Sequence, residues 1–150
     1  INTYFPSGSS GEIRQAFKYD FLNNYFEFIK EKKAAGKKLI IVGDYNICHL
    51  DIDIHNPSKQ HKSSGFLPAE RAWMDKWFTN NMIDSFRKVK GNIIDKYSWW
   101  SYRAGARNKN KGWRIDYISV SKELESNIKD ADILSEVKHS DHCPIYLEIF

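Results

Sequence analysis

Ser140-Asp141-His142-Cys143-Pro144 is the stretch of this chain with the plainest chemistry. An Asp and a His side by side cannot both enter one face of a sheet, so two acid/base groups at the mouth of a strand point to a site rather than to core. Asp44 and Asn46 stand at alternate positions after a short apolar run, Asp116 interrupts a later alternation, and Tyr4 lies near the start. Carboxylates are hard oxygen ligands suited to Mg²⁺, which binds through one or two of them together with substrate phosphate. A carboxylate can also deprotonate a water that attacks phosphorus. A His fixed in one tautomer by an Asp can donate to a phosphate oxygen as charge builds there. No Gly-x-Ser-x-Gly and no reactive Cys context is present, so a covalent nucleophile is not expected.

The elements that position these groups alternate. Residues 1–5 read as the end of a strand stopped by Pro6, and Ser7-Gly8-Ser9-Ser10-Gly11 as a loop, either a mobile connector or a phosphate-contacting loop that starts at Tyr4. Phe17, Phe21, Tyr25, Phe28 and Ile29 recur with a helical period, which predicts a helix over residues 14–35 with that stripe in the core and Gly36 as its stop. Leu39-Ile40-Ile41-Val42 reads as a strand buried on both faces. It emerges at Gly43-Asp44-Tyr45-Asn46, where an Asp/Asn turn is the alternative to a site. Residues 47–66 are irregular, and His49, His55 and His61 share no period, as expected of loop histidines rather than a metal cluster. Pro68 and Glu70 open a helix to about residue 78, with Trp73, Trp77 and Phe78 on its buried side and Asn80-Asn81 after it. Two strands, residues 97–100 and 113–120, flank a basic loop. Within the second, alternation groups Trp113, Ile115, Tyr117 and Ser119 on one face, and Arg114, Asp116, Ile118 and Val120 on the other. Asp116 then needs a partner, and His142 is a good one. A short helix over 122–127, a strand near Ile133-Leu134 and a strand over 144–150 close a layered α/β (α+β) domain.

Composition narrows the classes. With 150 residues, 41% hydrophobic and 15% aromatic, the chain is one folded domain's worth. No apolar run approaches the roughly 20 residues of a membrane span, and no leader is evident. Cys48 and Cys143 sit in unlike contexts, which argues against a disulfide framework and for an intracellular protein. The net charge is +4, and from Tyr102 to Trp113 four basic residues (Arg103, Arg107, Lys109, Lys111) occur with no acid. Such a patch beside an acidic site suggests a polyanionic substrate, nucleic acid first. The chain opens without Met and inside a strand, as the back half of a longer protein would.

Gly43-Asp44-Tyr45-Asn46, Trp113-Arg114-Ile115-Asp116-Tyr117 and Ser140-Asp141-His142-Cys143-Pro144 resemble signature blocks of the endonuclease/exonuclease/phosphatase superfamily. Within it, they resemble the C-terminal half of the exonuclease III type of apurinic/apyrimidinic (AP) endonuclease. The likeness spans essentially the whole chain, including Tyr4-Phe5-Pro6, residues 53–57 through Gly65-Phe66, Pro68-Ala69-Glu70-Arg71 and Asp84-Ser85-Phe86-Arg87. The block from Ser98 to Tyr117 favours DNA repair over hydrolysis of sugar or lipid phosphates.

The resemblance implies half of a four-layer αββα sandwich and a Mg²⁺ cofactor, with Mn²⁺ as a substitute. It implies cleavage 5′ to abasic sites in double-stranded DNA, with action at 3′ ends as a further activity. Asp44 would activate water or move its proton, Asn46 would orient the nucleophile, and His142 paired with Asp116 would contact the scissile phosphate, as would Tyr4. The implied metal set is Asp44, Asn46, Asp141 and His142. Trp99, Trp113 and Ile115 match a pocket for the flipped-out baseless sugar, and Arg103 and Arg107 lie near the DNA path. The location implied is cytoplasmic in a bacterium and nuclear in a eukaryote, with no membrane. Two departures stand out: Tyr45 where the family more often has an aliphatic residue, and Ser7 and Ser10 where longer polar or basic side chains are common. The family's N-terminal half is missing, so association with that half, or with a second copy through an exposed sheet face, is expected. A non-catalytic DNA-binding or dimerisation module, or a phosphatase or general nuclease of the same superfamily, are the alternatives.

Overall fold

The computed structural model describes residues 1–80 and 82–150; Asn81, expected just past the second helix, lies outside them. The elements run α1 (Glu12–Ala34), β1 (Ile40–Asp44), α2 (Pro68–Thr79), β2 (Met82–Asp84), α3 (Ser85–Lys90), β3 (Trp99–Trp100), β4 (Gly112–Trp113), β5 (Asp116–Ser121), β6 (Ile128–Ile133) and β7 (Ile145–Ile149). The main sheet has the order β1-β5-β2, antiparallel throughout. Two smaller two-stranded sheets, β3-β4 and β6-β7, accompany it. Helices and sheets form layers, as the alternating periods predict.

One face of the main sheet carries Ile41, Tyr117 and Ser119 beneath α1 and α2. Tyr45 lies between Phe5 and Tyr117, with ring centroids 4.3 Å and 5.0 Å away. Its hydroxyl and the Trp77 indole N–H share Ser119 Oγ at 2.9 Å and 3.1 Å. Aromatic pairs of this kind add about 0.5–1.5 kcal/mol each beyond their buried area. Tyr45 is therefore the centre of an aromatic core rather than a neutral variation.

Helix α1 begins two residues earlier than expected and ends at Ala34, with Gly36 in the left-handed conformation (φ 75°) just beyond. Its buried face matches the predicted one in part: Ile29 is buried, and Phe21 and Tyr25 pack half-buried against the core. Lys18, Leu22, Phe26 and Ile29 point inward, while Phe17 is 51% and Phe28 42% exposed. The buried stripe is shifted by about one residue toward Leu22 and Phe26, and Lys18 on that face pairs with Glu70 inside the protein. Helix α2 matches expectation: the Glu70 carboxylate accepts the Leu67 N–H at 2.9 Å, capping the first turn.

Strand β1 is not buried on both faces. Only Ile41 is fully enclosed; Ile40 and Val42, on the face they share with Ile118, are half-buried. The segment from Ile1 to Phe5 runs alongside β1, with Thr3 and Phe5 N–H groups donating to Val42 and Asp44 carbonyls at 2.9 Å and 2.8 Å. A Cβ at Gly43 would lie 1.8 Å from the Thr3 carbonyl oxygen, so only glycine allows this approach.

The strand predicted over 113–120 is two strands. Ser98 Oγ accepts the N–H groups of both Ile115 and Asp116 at 3.1 Å, turning the chain between β4 and β5. Arg114 consequently leaves the Asp116 face and stacks on Tyr117, 4.5 Å from its centroid. Its Nε meets Asp53 Oδ1 and its Nη2 meets Asp84 Oδ2, both at 2.7 Å, while Arg87 Nη2 bridges the two Asp53 oxygens at 2.7 Å and 2.8 Å. Burial opposes ionisation of Asp53, but the two guanidiniums outweigh it and hold the carboxyl below its ordinary range. Residues 122–127 form a 3₁₀ rather than an α-helix, and the strand expected near 133–134 is the end of β6. Cys48 and Cys143 are both free and buried. No helix among the described residues is long and apolar enough to cross a membrane.

Candidate active site

The site forms where β1 ends and its antiparallel neighbour β5 begins. Asp44 and Asp116 are register partners in that pair, so both carboxylates project from one face of the sheet. The extended segment through His142 is tied beside β3: Trp100 N–H donates to the Asp141 carbonyl at 2.9 Å and Cys143 N–H to the Ser98 carbonyl at 2.8 Å. This brings His142 Nδ1 to 2.9 Å from Asp116 Oδ2, as the sequence suggested. Asp44, Asp116 and His142 each place one ligand atom within 4.8 Å of the others, and no second such group occurs among the described residues.

Asn46 lies beside Asp44 with left-handed backbone (φ 51°). Its N–H donates to Asp44 Oδ1 at 2.7 Å, and its Nδ2 donates to Asp44 Oδ2 at 3.1 Å and to the Phe5 carbonyl at 2.9 Å. With the amide nitrogen so committed, the amide oxygen is the group left to face the cavity. Asp44 is pushed up to about 6, first by burial and second by the Asp116 charge; the Asn46 N–H and the His142 and Lys18 charges act the other way. His142 is held above its ordinary value chiefly by its hydrogen bond to Asp116, with burial opposing.

A cavity of about 390 Å³ joins this cluster to an apolar wall. Tyr4, Asp44, Asn46 and His142 line one side; Trp99, Trp113 and Ile115 line the other. The two indoles meet edge to face at 6.1 Å and 90°. Thus nine of the eleven sequence candidates are gathered in or beside one site, with Asp116 and Asp141 just behind the cavity wall. Asp141 stands apart from the three-residue cluster: Trp99 Nε1 donates to its Oδ2 at 2.9 Å and Ser140 to its Oδ1 at 3.1 Å. Burial would raise its carboxyl, but these two donors hold it below the ordinary value.

The arginines are not brought to the cavity. Arg107 gives its guanidinium to the carbonyls of Ser140, Ser135 and Val137 at 2.7, 3.0 and 2.7 Å and lies over the Trp100 ring. It braces the segment leading into Asp141. Arg103 is exposed on a 3₁₀ turn, outside the cavity lining. Ser7 and Ser9, in the loop read as a connector or a phosphate-contacting loop, lie on the cavity wall, while sequence reasoning missed the role of Ser98, the turn between β4 and β5, and the Ser64 side chain on that wall.

Residues 2–142 match the endonuclease/exonuclease/phosphatase family, and the chain belongs to it. An exodeoxyribonuclease of Bacillus subtilis is 39% identical over 99% of this chain and 59% of its own length. A DNA-(apurinic or apyrimidinic site) endonuclease of Dictyostelium discoideum is 38% identical over 97% of this chain and 41% of its own. A 3′ phosphatase of Neisseria, solved with a product DNA hairpin, superposes with a TM-score of 0.92 at 28% identity, covering all of this chain and 60% of the other. The layered fold is therefore the family's fold, and the chain spans roughly half the length of these relatives.

Proposed function

We propose that this chain is the C-terminal half of an exonuclease III-type AP endonuclease domain. Completed by the other half, it would be a divalent-cation-dependent phosphodiesterase of base-excision repair, cutting duplex DNA 5′ to abasic sites and trimming 3′ ends. The observation that carries the reading is the single cavity that joins an Asp44–Asn46–Asp116–His142 cluster to a wall of Trp99, Trp113 and Ile115.

The donor set fits a hard cation. Two carboxylates face each other in register, and Asp44 resists ionisation because it is buried and because it faces the Asp116 charge. Asp44, the Asn46 amide oxygen and His142 are the residues that would hold Mg²⁺, or Mn²⁺ in its place, with Asp116 and Asp141 adding negative charge around them. The cation would supply Lewis-acid stabilisation of phosphate charge. The protein's own groups do the rest. Asp44 accepts a proton from the water whose oxygen bonds to phosphorus. The bond from phosphorus to the departing sugar oxygen breaks, and that oxygen takes a proton from solvent. His142, oriented through Nδ1 by Asp116, turns Nε2 toward the phosphate oxygens. Tyr4, largely exposed at the rim, is placed to donate to the same phosphate.

The apolar wall supports abasic specificity. A tight aromatic pocket admits a bare sugar but not a nucleotide with its base, and extruding a baseless position forgoes little stacking. The half-buried sheet face of Ile40, Val42 and Ile118 is where the other half, or a second copy, would pack. Nicking of a duplex with one abasic site, with and without Mg²⁺, tests the reading in wild type and in Asp44→Asn. Mg²⁺-dependent cutting lost in the variant is expected of the completed protein. Binding without cutting would favour a DNA-binding module instead, and equal cutting of intact DNA a general nuclease. Sedimentation of the 150-residue chain as a clean monomer would count against association through the sheet face.

A further inference from the structure

Two charged side chains take no direct part in this chemistry yet lie wholly inside the protein. Lys18 of α1 and Glu70 of α2, each 0% exposed, pair at 2.5 Å. A buried pair costs desolvation that its own attraction often fails to recover, and well-packed apolar residues commonly replace one without loss of stability. Stability alone is therefore a poor account of it.

Its other bonds give a better one. Lys18 Nζ also donates to the Asn46 carbonyl at 2.8 Å. That carbonyl belongs to the residue with left-handed backbone whose N–H and Nδ2 orient the Asp44 carboxylate. Asn tolerates left-handed backbone better than most residues but still prefers other conformations, and the Lys18 bond to its carbonyl helps to fix it there. On the far side, Glu70 Oε1 accepts from Gln15 Nε2 at 3.1 Å, and Oε2 accepts the N–H groups of Gly65 and Leu67 at 2.7 Å and 2.9 Å. Gly65 is packed so closely that an added Cβ would lie 3.0 Å from both the Asn46 carbonyl oxygen and the Trp113 ring. The pair therefore ties together the Asp44–Asn46 turn and the loop that backs the Trp113 wall.

We propose that Lys18 and Glu70 are positioning residues: a buried clamp that fixes Asn46, and through it the Asp44 carboxylate, while holding the neighbouring loop against Trp113. Its catalytic consequence rests on the phosphodiesterase reading above; its structural content does not. The clamp acts first on the orientation of the nucleophile's partners and only through the Trp113 loop on DNA binding, so its loss falls mainly on kcat.

The test is the double variant Lys18→Met with Glu70→Gln in the full-length protein. It leaves no buried charge unpaired and keeps an acceptor for the Gly65 and Leu67 N–H groups. Two readouts are taken, asparagine-selective ¹⁵N NMR of the Asn46 backbone and side-chain amides, and kcat and KM on abasic duplex. The expected result is displaced or broadened Asn46 resonances in a protein that melts close to wild type. The accompanying kcat should be about 100-fold lower, as small misplacements of reacting groups produce, with KM little changed. Asn46 resonances that stay in place, or an unchanged kcat in an active protein, would overturn the proposal. If the double variant does not fold, Lys18→Gln with Glu70→Gln, which removes both charges and shortens the donor, is read by the same two outcomes. A wild-type protein that fails to cut abasic DNA would remove the functional reading, and the resonances would still decide whether the clamp holds Asn46.

Discussion

In metal-free protein Asp44 should titrate at about 6 instead of its ordinary 3.8, and Asp116→Asn should lower that midpoint without restoring the ordinary value. The gap corresponds to about 3 kcal/mol between the two protonation states, an order-of-magnitude figure. Burial is its largest cause and the facing Asp116 charge the second. The substitution removes the second cause, and it also removes the hydrogen bond that chiefly raises His142, whose charge favours ionised Asp44. Of these opposed changes the loss of the Asp116 charge is the larger, so the midpoint falls; burial keeps it above 3.8. The sign for stability follows. The folded value lies above the unfolded one, so the proton stabilises the fold fully below 3.8, and that stabilisation is lost as pH rises through about 6. His142, also raised, contributes fully below 6.5 and loses its contribution as pH climbs through its higher folded value. A divalent cation replaces the missing positive charge, so saturating Mg²⁺ should lower the Asp44 midpoint and raise the melting temperature most above pH 6. Carboxyl-carbon NMR of ¹³C-aspartate-labelled full-length protein in EDTA reads the midpoint directly. A wild-type value near 4, or one unmoved by Asp116→Asn, would refute the reasoning.

Trp99→Ala opens the apolar wall and should reduce the preference for abasic over intact duplex by about 10-fold or more, measured as the ratio of cutting rates at matched DNA concentrations. Ser98→Ala strands the Ile115 and Asp116 N–H groups, and urea unfolding should register a loss of about 1–3 kcal/mol; an unchanged midpoint would mean water replaces the hydroxyl. Asp53→Ala leaves the buried Arg114 without one of its two carboxylate partners, and Arg87 without its bridging pair. A loss of about 3–5 kcal/mol is expected, seen as a lowered thermal midpoint across the pH range in which Asp53 is ionised.

The site's acids, its histidine and the layered architecture are legible in the sequence because each leaves a local mark. Asp44 and Asn46 alternate at the end of an apolar run, Asp116 breaks an alternation, and Asp141-His142 cannot both be core. The clamp, the Ser98 staple and the Asp53–Arg87–Arg114–Asp84 network leave none. Lys18 and Glu70 lie 52 positions apart, and Arg114 and Asp53 lie 61 apart. Each, read alone on its own segment, is an ordinary solvent-facing charge. The misplaced stripe on α1 is the same effect seen from the other side. Aromatic residues at 17, 21, 25 and 28 describe a better apolar face than 18, 22, 26 and 29. The second face is nonetheless inside: Leu22, Phe26 and Ile29 are buried on it, and its lysine finds a carboxylate that local periodicity cannot reveal. Arg107 shows the converse: its basic character suggests DNA, but three carbonyls from the segment before Asp141 occupy it. A charge on this chain therefore reports its role through its long-range partner. Lys18, Glu70 and Ser98, which hold the Asp44–Asn46 turn and Asp116 in place, bond to partners far away in sequence, so their roles become visible only once the chain is folded.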